Sequence, residues 1–338
     1  MASTVLSPWI FTTTKCNLSC PYCYVKQTGE DMDLVTYQKI NEICLKMLDS
    51  GEKERIVYRM AGGEPLLVFD NWKDPVQEFL DKAGSKGFVG VLTNLTCLTD
   101  KMIDFFKDKN IGFSVSLDGW TYSKPYHNGK SSAKKVRKNI DKLIQIGKRD
   151  LITISTVINK DSFDDIDKLA EWIADRNLNW TVELDHFFCG EMPLETVVLK
   201  MKQVIDILKA KDFDLVHRFC FGNMKVSSSY QGCTAGDRLI TIFVNGDVFP
   251  CQTTIYKEPI CNIFTSENIL TDLENQKIYQ LGANWKLPEP CQNCAISDIC
   301  GGGCKENNRE INKNYTCDIL KIVFLYLLQV VMTNKEEE

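Results

Sequence analysis

The chain has 338 residues, enough for two domains that each bury a core. With 44% hydrophobic and 25% charged residues, the composition is that of a globular protein and excludes disordered, collagen-like and coiled-coil chains. The net charge of −5 excludes a polybasic nucleic-acid surface as the main feature. The N-terminus lacks the pattern of a signal peptide, and the apolar run Ile319–Met332 is shorter than the roughly 20 residues of a membrane-spanning helix. We expect a cytoplasmic protein without membrane or nucleic-acid partners.

Residues 8 to 190 alternate between strand-like and helix-like patterns. A helix is predicted over Leu34–Leu48, and Asp74 is predicted to cap a helix that begins at Pro75. Six βα units predict an α/β fold with a parallel sheet. Because a closed barrel needs eight units, the prediction is a partial, TIM-like (β/α)6 barrel. The six predicted strands are Trp9–Thr14, Ile56–Met60, Phe88–Thr93, Ile111–Leu117, Leu151–Val157 and Trp180–Asp185.

Polar motifs follow these strands, where the chemistry of such folds is placed. The first strand is followed by cysteines and the second by Gly62-Gly63-Glu64. Asn94 ends the third strand, Ser116-Leu117-Asp118 ends the fourth, and Asp185-His186 ends the sixth.

Cysteine is unusually abundant, with 15 residues in a chain that has no predicted export signal. In a reducing compartment such a number favours metal binding or thiol chemistry over disulfides. Three cysteines follow the first strand as Cys16-x3-Cys20-x2-Cys23. Three thiolates on a [4Fe–4S] cluster leave one iron without a protein ligand, which a cofactor can then bind. A zinc site completed by a distant ligand is the alternative.

This spacing, with Tyr22 before the last cysteine, resembles the radical S-adenosylmethionine (SAM) family. The resemblance implies that the three cysteines hold a SAM-binding cluster and that reductive cleavage of SAM yields a 5′-deoxyadenosyl radical. It also implies SAM contacts, carried over to Tyr22, Gly62, Gly63, Glu64, Asn94, Ser116 and Asp118. Two positions depart from the family pattern: Leu95 replaces a frequent glycine, and Lys130 stands near the place of an arginine. The SAM carboxylate is therefore expected to be held by Lys130 or by another group.

Seven further cysteines lie in the last third of the chain. They are Cys233, Cys251, Cys291, Cys294, Cys300, Cys304 and Cys317. Between the first two, Leu239–Val244 and Asp247–Phe249 predict a hairpin with Asn245-Gly246 at its turn.

This seven-cysteine pattern resembles the SPASM extension of radical SAM enzymes, a small cysteine-rich domain. The resemblance implies two auxiliary [4Fe–4S] clusters, and therefore three clusters in all. It assigns Cys291, Cys294, Cys300 and Cys317 to an outer cluster, and Cys233, Cys251 and Cys304 to an inner one. Eight thiolates would be needed, so either Cys220 or Cys261 completes the inner cluster, or one of its irons is open.

SPASM enzymes mostly modify ribosomally made peptides or proteins, and the expected reaction is an oxidative crosslink such as a thioether or a carbon–carbon bond. The alternatives are epimerisation, formylglycine formation as in sulfatase maturases, and a small-molecule radical dehydrogenation. Sulfatase maturases place an aspartate base after the second SPASM cysteine, whereas this chain has Gln252. A base would have to come from Asp185 or His186. The candidate hydrogen-atom donors for an epimerase are Cys97, Cys189 and Cys220.

The expected organisation is a radical SAM barrel over residues 1–205, a bridging segment over 206–232 and a SPASM domain over 233–338. No leader-peptide domain is expected before the barrel, since its first strand starts near residue 8. The expected partners are a peptide or protein substrate and an electron donor such as flavodoxin or ferredoxin. The expected state is a monomer or a homodimer.

Overall fold

The computed structural model describes residues 3–185, 191–222, 224–228, 233–275, 287, 289–304 and 313–334. The chain divides into two compact units: unit 1 is Met1–Ser114 with Gly232–Trp285, and unit 2 is Val115–Gln231 with Lys286–Glu338. The expected domain boundaries at residues 205 and 232 stay a prediction.

The elements alternate along the chain. In order they are β1 (Val5–Thr13), α1 (Leu34–Asp49), β2 (Arg55–Gly62), α2 (Phe69–Ala83), β3 (Gly87–Thr93), α3 (Asp100–Phe106), β4 (Ile111–Ser116), α4 (Ala133–Gln145), β5 (Ile152–Ile158), α5 (Ile166–Arg176), β6 (Asn179–Leu184), α6 (Leu194–Ala210), β7 (Phe219–Phe221), β8 (Leu239–Ile242), β9 (Asp247–Phe249), β10 (Cys261–Asn262), α7 (Ile269–Asn275), α8 (Glu289–Gln292), α9 (Ser297–Cys300) and α10 (Lys313–Asn334). The α/β class predicted from the sequence is confirmed.

In unit 1 the strands follow the order β10-β9-β8-β1-β2-β3. Strand β1 pairs in parallel with β2 and β8, and β2 pairs in parallel with β3. The predicted hairpin is present as the antiparallel pair β8 and β9. Its turn includes Gly246, whose φ of +85° lies in the left-handed region that favours glycine.

The two faces of this sheet differ in their contacts. Tyr58 faces the helices: its hydroxyl donates to Asn41 Oδ1 of α1 at 3.0 Å, and its ring stacks on Phe79 of α2 at 3.8 Å. Because side chains alternate along a strand, the neighbouring Arg59 lies on the opposite face. The helix-facing side is therefore the apolar core of unit 1.

Unit 2 contains the parallel strands β5, β6 and β7. Trp180 of β6 is fully buried, and its indole nitrogen donates to Thr156 Oγ1 of β5 at 2.9 Å. Helix α10 packs on α6, where the Tyr326 hydroxyl lies 2.5 Å from Asp206 Oδ1.

Helix α10 is longer than the apolar run seen in the sequence. Its segment Thr316–Thr333 has a mean hydropathy of 1.7 and is long and apolar enough to cross a membrane by length and composition alone. A single helix of this kind is weak evidence for a span, because core helices pass the same test.

The predicted start of α2 is wrong. The helix begins at Phe69, so Asp74 and Pro75 lie inside it rather than at its first turn. Proline lacks the N–H that a helix interior uses, which argues for a helix end in sequence. The buried side chains of Phe69, Trp72, Val76 and Phe79 recur at helical spacing and outweigh that loss. The Pro75 carbonyl also accepts a hydrogen bond of 2.9 Å from Asn41 Nδ2.

Candidate active site

The end of β2 lies directly against the segment that leads to Cys16. Gly63 N donates to Thr13 O and Glu64 N to Lys15 O, both at 2.8 Å. A Cβ at Gly63 would lie 2.1 Å from Lys15 O, and a Cβ at Gly62 would lie 2.2 Å from Thr13 O. Both glycines are therefore required where two backbones meet, and they fix the start of the cysteine loop.

The three cysteines of this loop lie close enough for their charges to interact. Burial, together with the charges of Glu64, Cys20 and Cys23, raises the pKa of the Cys16 thiol to about 12. Cys20 is half-buried and Cys23 is exposed. Three soft sulfur donors on one short loop fit an iron–sulfur cluster that is bound with release of the thiol protons.

A polar network links this loop to the end of β3. Asn94 Oδ1 accepts from Thr96 N at 2.9 Å and lies 2.6 Å from Thr96 Oγ1. Its amide nitrogen therefore points the other way, to Asn17 Oδ1 at 3.0 Å and Cys16 Sγ at 3.7 Å. Asn17 Nδ2 in turn donates to Thr96 Oγ1 at 2.8 Å, so Asn17, Asn94 and Thr96 are all hydrogen-bonded to one another. Asn17 and Thr96 were missed in the sequence, although both lie within three residues of predicted site residues.

Glu64 is fully buried beneath this network. Its carboxylate accepts from Thr93 Oγ1 at 2.6 Å, from Asn94 N at 2.7 Å and from Leu66 N at 3.0 Å. Burial raises the pKa of Glu64 to about 7 against the opposing effect of these three donors. The side chain thus joins the ends of β2 and β3, while its assignment to SAM stays a prediction.

Leu95 adopts a backbone conformation that explains why glycine is frequent at this position. Its φ is +56°, in the left-handed region that a leucine rarely occupies. The side chain is fully buried, which compensates the strain through apolar burial.

The Cys251 segment lies beside the cysteine loop within unit 1. Tyr256 Oη accepts from Lys26 N at 2.6 Å, and the Lys26 ammonium lies 4.6 Å from the centre of the Tyr256 ring. Tyr22, the candidate adenine contact, is half-buried on the same loop.

The remaining candidate SAM contacts, Ser116, Asp118 and Lys130, belong to unit 2, and Ser116 is the last residue of β4. Ser116 is half-buried, and Lys130 is exposed in a turn. Asp118 is 1% exposed, and its Oδ1 accepts from Val157 N at 3.0 Å. Its Oδ2 lies 3.7 Å from Lys124 Nζ, so this carboxylate already holds neighbouring parts of unit 2 together.

The described candidates for the base and the hydrogen-atom donors lie on or after different strands. Asp185 directly follows β6, and its N–H donates to Ile158 O at 2.9 Å. His186 and Cys189 lie outside the described residues. Cys97 is half-buried after β3, with its sulfur 3.8 Å from Thr96 Oγ1. Cys220 of β7 is paired with Thr181 of β6 and shares its half-buried face.

Four of the C-terminal cysteines come together in unit 2. Burial raises the pKa of Cys317, and the charges of Cys300, Cys291 and Cys294 raise it further. Cys300 ends α9, and its thiol accepts from Gly302 and Gly303 N–H groups. The glycine run 301–303 has φ values of +61°, +82° and +74°, so its backbone folds back on the thiol. This is the set that the SPASM resemblance assigned to the outer cluster.

The other C-terminal cysteines divide between the units. Cys233 and Cys251 belong to unit 1, and Cys304 is an exposed residue of unit 2. Cys261 of β10 hydrogen-bonds Ser266 and Asp272, and burial raises the pKa of its thiol to about 12. Among the described residues, no three cysteine, histidine or acidic side chains are arranged to hold a single metal ion.

Arg59 is a third residue that the sequence prediction missed. It is half-buried in the middle of β2, on the sheet face away from α1 and α2. The sequence signal that could have identified Arg59 is its position between the apolar residues Tyr58 and Met60, because a charged side chain is unusual in a predicted inner strand.

Comparison with known proteins places the chain in a class. Residues 10–173 match the Radical SAM superfamily, so the chain contains a radical SAM domain, and the domain predicted from the cysteine spacing is confirmed. The domain and the relatives described below indicate an enzyme, and a radical SAM domain implies SAM and one [4Fe–4S] cluster.

Its relatives are similar over most of the chain. The cysteine-type anaerobic sulfatase-maturating enzyme of Clostridium novyi is 23% identical and aligns over 92% of each chain. The radical SAM cyclopropyl synthase TigE of Paramaledivibacter caminithermalis is 22% identical over 94% of this chain and 72% of its own. The fold is shared with native anSMEcpe with bound AdoMet and Cp18Cys peptide, at a TM-score of 0.77 and 16% identity over 98% of this chain and 99% of that one.

Proposed function

We propose that the enzyme reductively cleaves SAM and oxidatively crosslinks a ribosomally made peptide or protein, with a thioether or carbon–carbon bond as the product. The observation that carries this proposal is the group of four thiols in unit 2, additional to the three of the cysteine loop. A crosslink removes two hydrogen atoms from the substrate: one as a hydrogen atom taken by the radical from SAM, the other as an electron and a proton. The electron needs an acceptor besides SAM.

We assign the cysteines of the chain to the clusters that these reactions need. Cys16, Cys20 and Cys23 hold the SAM-binding cluster, with Cys16 oriented by Asn94. Cys291, Cys294, Cys300 and Cys317 of unit 2 hold an auxiliary cluster, and Cys233 and Cys251 of unit 1 are ligands of another. When bound, these groups supply electron transfer and reductive cleavage of SAM.

Gln252 favours crosslinking over formylglycine formation. It follows Cys251, and an amide cannot accept a proton at neutral pH. Its Oε1 is buried and has no hydrogen-bond partner in the described part of the chain. A base for formylglycine formation would therefore have to come from elsewhere, with Asp185 as the described candidate.

The relatives support a peptide substrate. Two are named for sulfatase maturation and cyclopropyl synthesis, and a protein with the same fold was solved with a bound peptide.

The proposal also includes an electron donor such as flavodoxin or ferredoxin, and the cytoplasm as the site of action.

Mass spectrometry of candidate precursor peptides tests this proposal. Each peptide is incubated anaerobically with reconstituted enzyme, SAM and dithionite, then reduced, alkylated and fragmented. A crosslink lowers the peptide mass by 2 Da, and a thioether also removes one alkylatable thiol. Formylglycine from serine gives the same mass change, but it reacts with a hydrazide and leaves the fragment ions unlinked.

Three other results would contradict crosslinking. A loss of 18 Da at a cysteine indicates formylglycine, and an unchanged mass with altered stereochemistry indicates epimerisation. Oxidation of a free sugar or amino acid with no peptide product would indicate a small-molecule enzyme.

A further inference from the structure

One face of the unit 1 sheet carries a row of polar side chains. Trp9 of β1 is paired with Arg59 of β2 on one side and with Thr241 of β8 on the other. Residues in register on parallel strands share a face, so these three side chains lie side by side. Tyr58 contacts α1 and α2, which places the row on the face away from those helices.

Arg59 contributes a cation to this row. Its Nε donates to Ser7 Oγ at 2.8 Å, and no carboxylate lies within ion-pair distance of it among the described residues. Burial lowers its pKa, and the charge of the nearby Arg238 lowers it further. Arg238 is an exposed residue directly before β8, and its backbone carbonyl accepts from Ser7 N at 2.6 Å, the residue that Arg59 contacts. No ion pair of Arg238 occurs in the described ranges either.

The neighbouring side chains add unused hydrogen-bond donors. Trp9 Nε1 and Thr241 Oγ1 are both buried and have no partner in the part of the chain that the structure describes. Thr241 is fully buried, and an indole nitrogen can only donate. Buried polar groups are normally hydrogen-bonded, so these two donors, which have no acceptor among the described residues, indicate a ligand that brings acceptors.

We propose that Arg59, Trp9 and Thr241, assisted by Arg238, form a subsite that binds a carboxylate of the peptide substrate. A planar carboxylate offers two acceptors to a guanidinium and matches its fork geometry. This assignment rests on the proposed function for the identity of the substrate, but not for the binding chemistry.

The position of the row sets a distance to the cysteine loop. Trp9 lies four residues before Thr13, the last residue of β1, which corresponds to about 13 Å along a strand. An extended peptide covers that distance in about four residues. A substrate anchored here would therefore carry its carboxylate about four residues from the modified side chain.

Nuclear magnetic resonance of the tryptophan indoles tests the subsite directly. The reconstituted enzyme, unreduced and without SAM, shows the resonances of its six tryptophans, and Trp9→Phe identifies the one from Trp9. N-acetylglycine represents a C-terminal carboxylate, and N-acetylglutamic acid α-amide represents an acidic side chain. N-acetylglutamine amide is the neutral control, and inorganic phosphate is the competing anion.

We expect a saturable shift of the Trp9 resonance with one of the two carboxylates and none with the neutral amide. Whichever carboxylate binds more tightly identifies the source in the substrate. Arg59→Met should weaken binding at least tenfold, and Arg59→Lys should weaken it less. The matched control is Arg55→Gln, which removes an exposed arginine of the same strand and should leave affinity unchanged.

Several results would overturn the subsite. These are an equal shift with the neutral amide, tighter binding of phosphate than of either carboxylate, and unaltered carboxylate binding in Arg59→Met. The five other indole resonances report whether each variant is folded. Since the titration uses neither SAM cleavage nor a crosslink, the subsite can fail while the proposed function holds, and the reverse.

Discussion

The two groups of cysteines in this enzyme are built in different ways. The cysteine loop places three thiols within eight residues and is fixed from outside, by the ends of β2 and β3. The C-terminal group gathers four thiols from Cys291 to Cys317: three lie on or between the short helices α8 and α9, next to the glycine run 301–303, and the fourth, Cys317, lies on the long helix α10. The loop with fewer ligands thus depends on the sheet, whereas the group with four ligands is built from helices and glycines. The predictions below test this difference.

The largest effect is expected from the cysteine loop itself. Replacing Cys16, Cys20 and Cys23 together by alanine should abolish formation of 5′-deoxyadenosine, because no ligand remains for the SAM-binding cluster. The measurement is chromatography of the anaerobic reaction with dithionite. Cys44→Ala is the control, since Cys44 is buried in α1 away from the loop, and it should retain SAM cleavage. Substantial 5′-deoxyadenosine from the triple variant would refute the assignment.

The dependence of the loop on the sheet predicts a severe effect of Gly63→Ala. The added methyl would overlap Lys15 O and displace the loop, at a cost of about 1–3 kcal/mol or more. We expect lower iron incorporation at the loop and loss of SAM cleavage. Gly90→Ala on β3 is the control, because its methyl would lie 3.8 Å from the nearest atom. Equal SAM cleavage by the two variants would show that the close approach is unimportant.

The C-terminal group predicts a partial loss. Cys294→Ala should leave SAM cleavage measurable but stop formation of the crosslinked product, because the cysteine loop is intact while one auxiliary cluster is incomplete. Comparing 5′-deoxyadenosine with modified peptide in the same reaction measures the separation. Full turnover by this variant would show that the outer cluster is dispensable.

The smallest effect is expected from the polar network. Thr96→Val removes the hydroxyl that fixes the Asn94 amide, so the hydrogen bond to Cys16 Sγ weakens. A loss of about 0.5–1.5 kcal/mol corresponds to a cluster potential about 20–60 mV more negative. Redox titration followed by electron paramagnetic resonance measures it, with Thr271→Val at an exposed position of α7 as the control. An unchanged potential would mean that the network has no electrostatic role.

The sequence predicted much of the fold, because strand and helix periods are local signals. The positions of β1 to β6 and the placement of Gly62 and Asn94 after their strands follow from such patterns. The start of α2 was predicted at Pro75, which was wrong because the burial of Phe69 and Trp72 decides where this helix starts. The role of Asn17 and the alignment of Trp9 with Arg59 depend on which residues face each other across strands, and register is set by tertiary contacts.

The left-handed backbone at Leu95 has a consequence for protein engineering. Glycine there would relieve about 1–2 kcal/mol of steric conflict. It would also empty a fully enclosed space, and removal of a core leucine side chain costs about 2–5 kcal/mol. The second figure is larger, so a consensus substitution toward glycine should destabilise this enzyme.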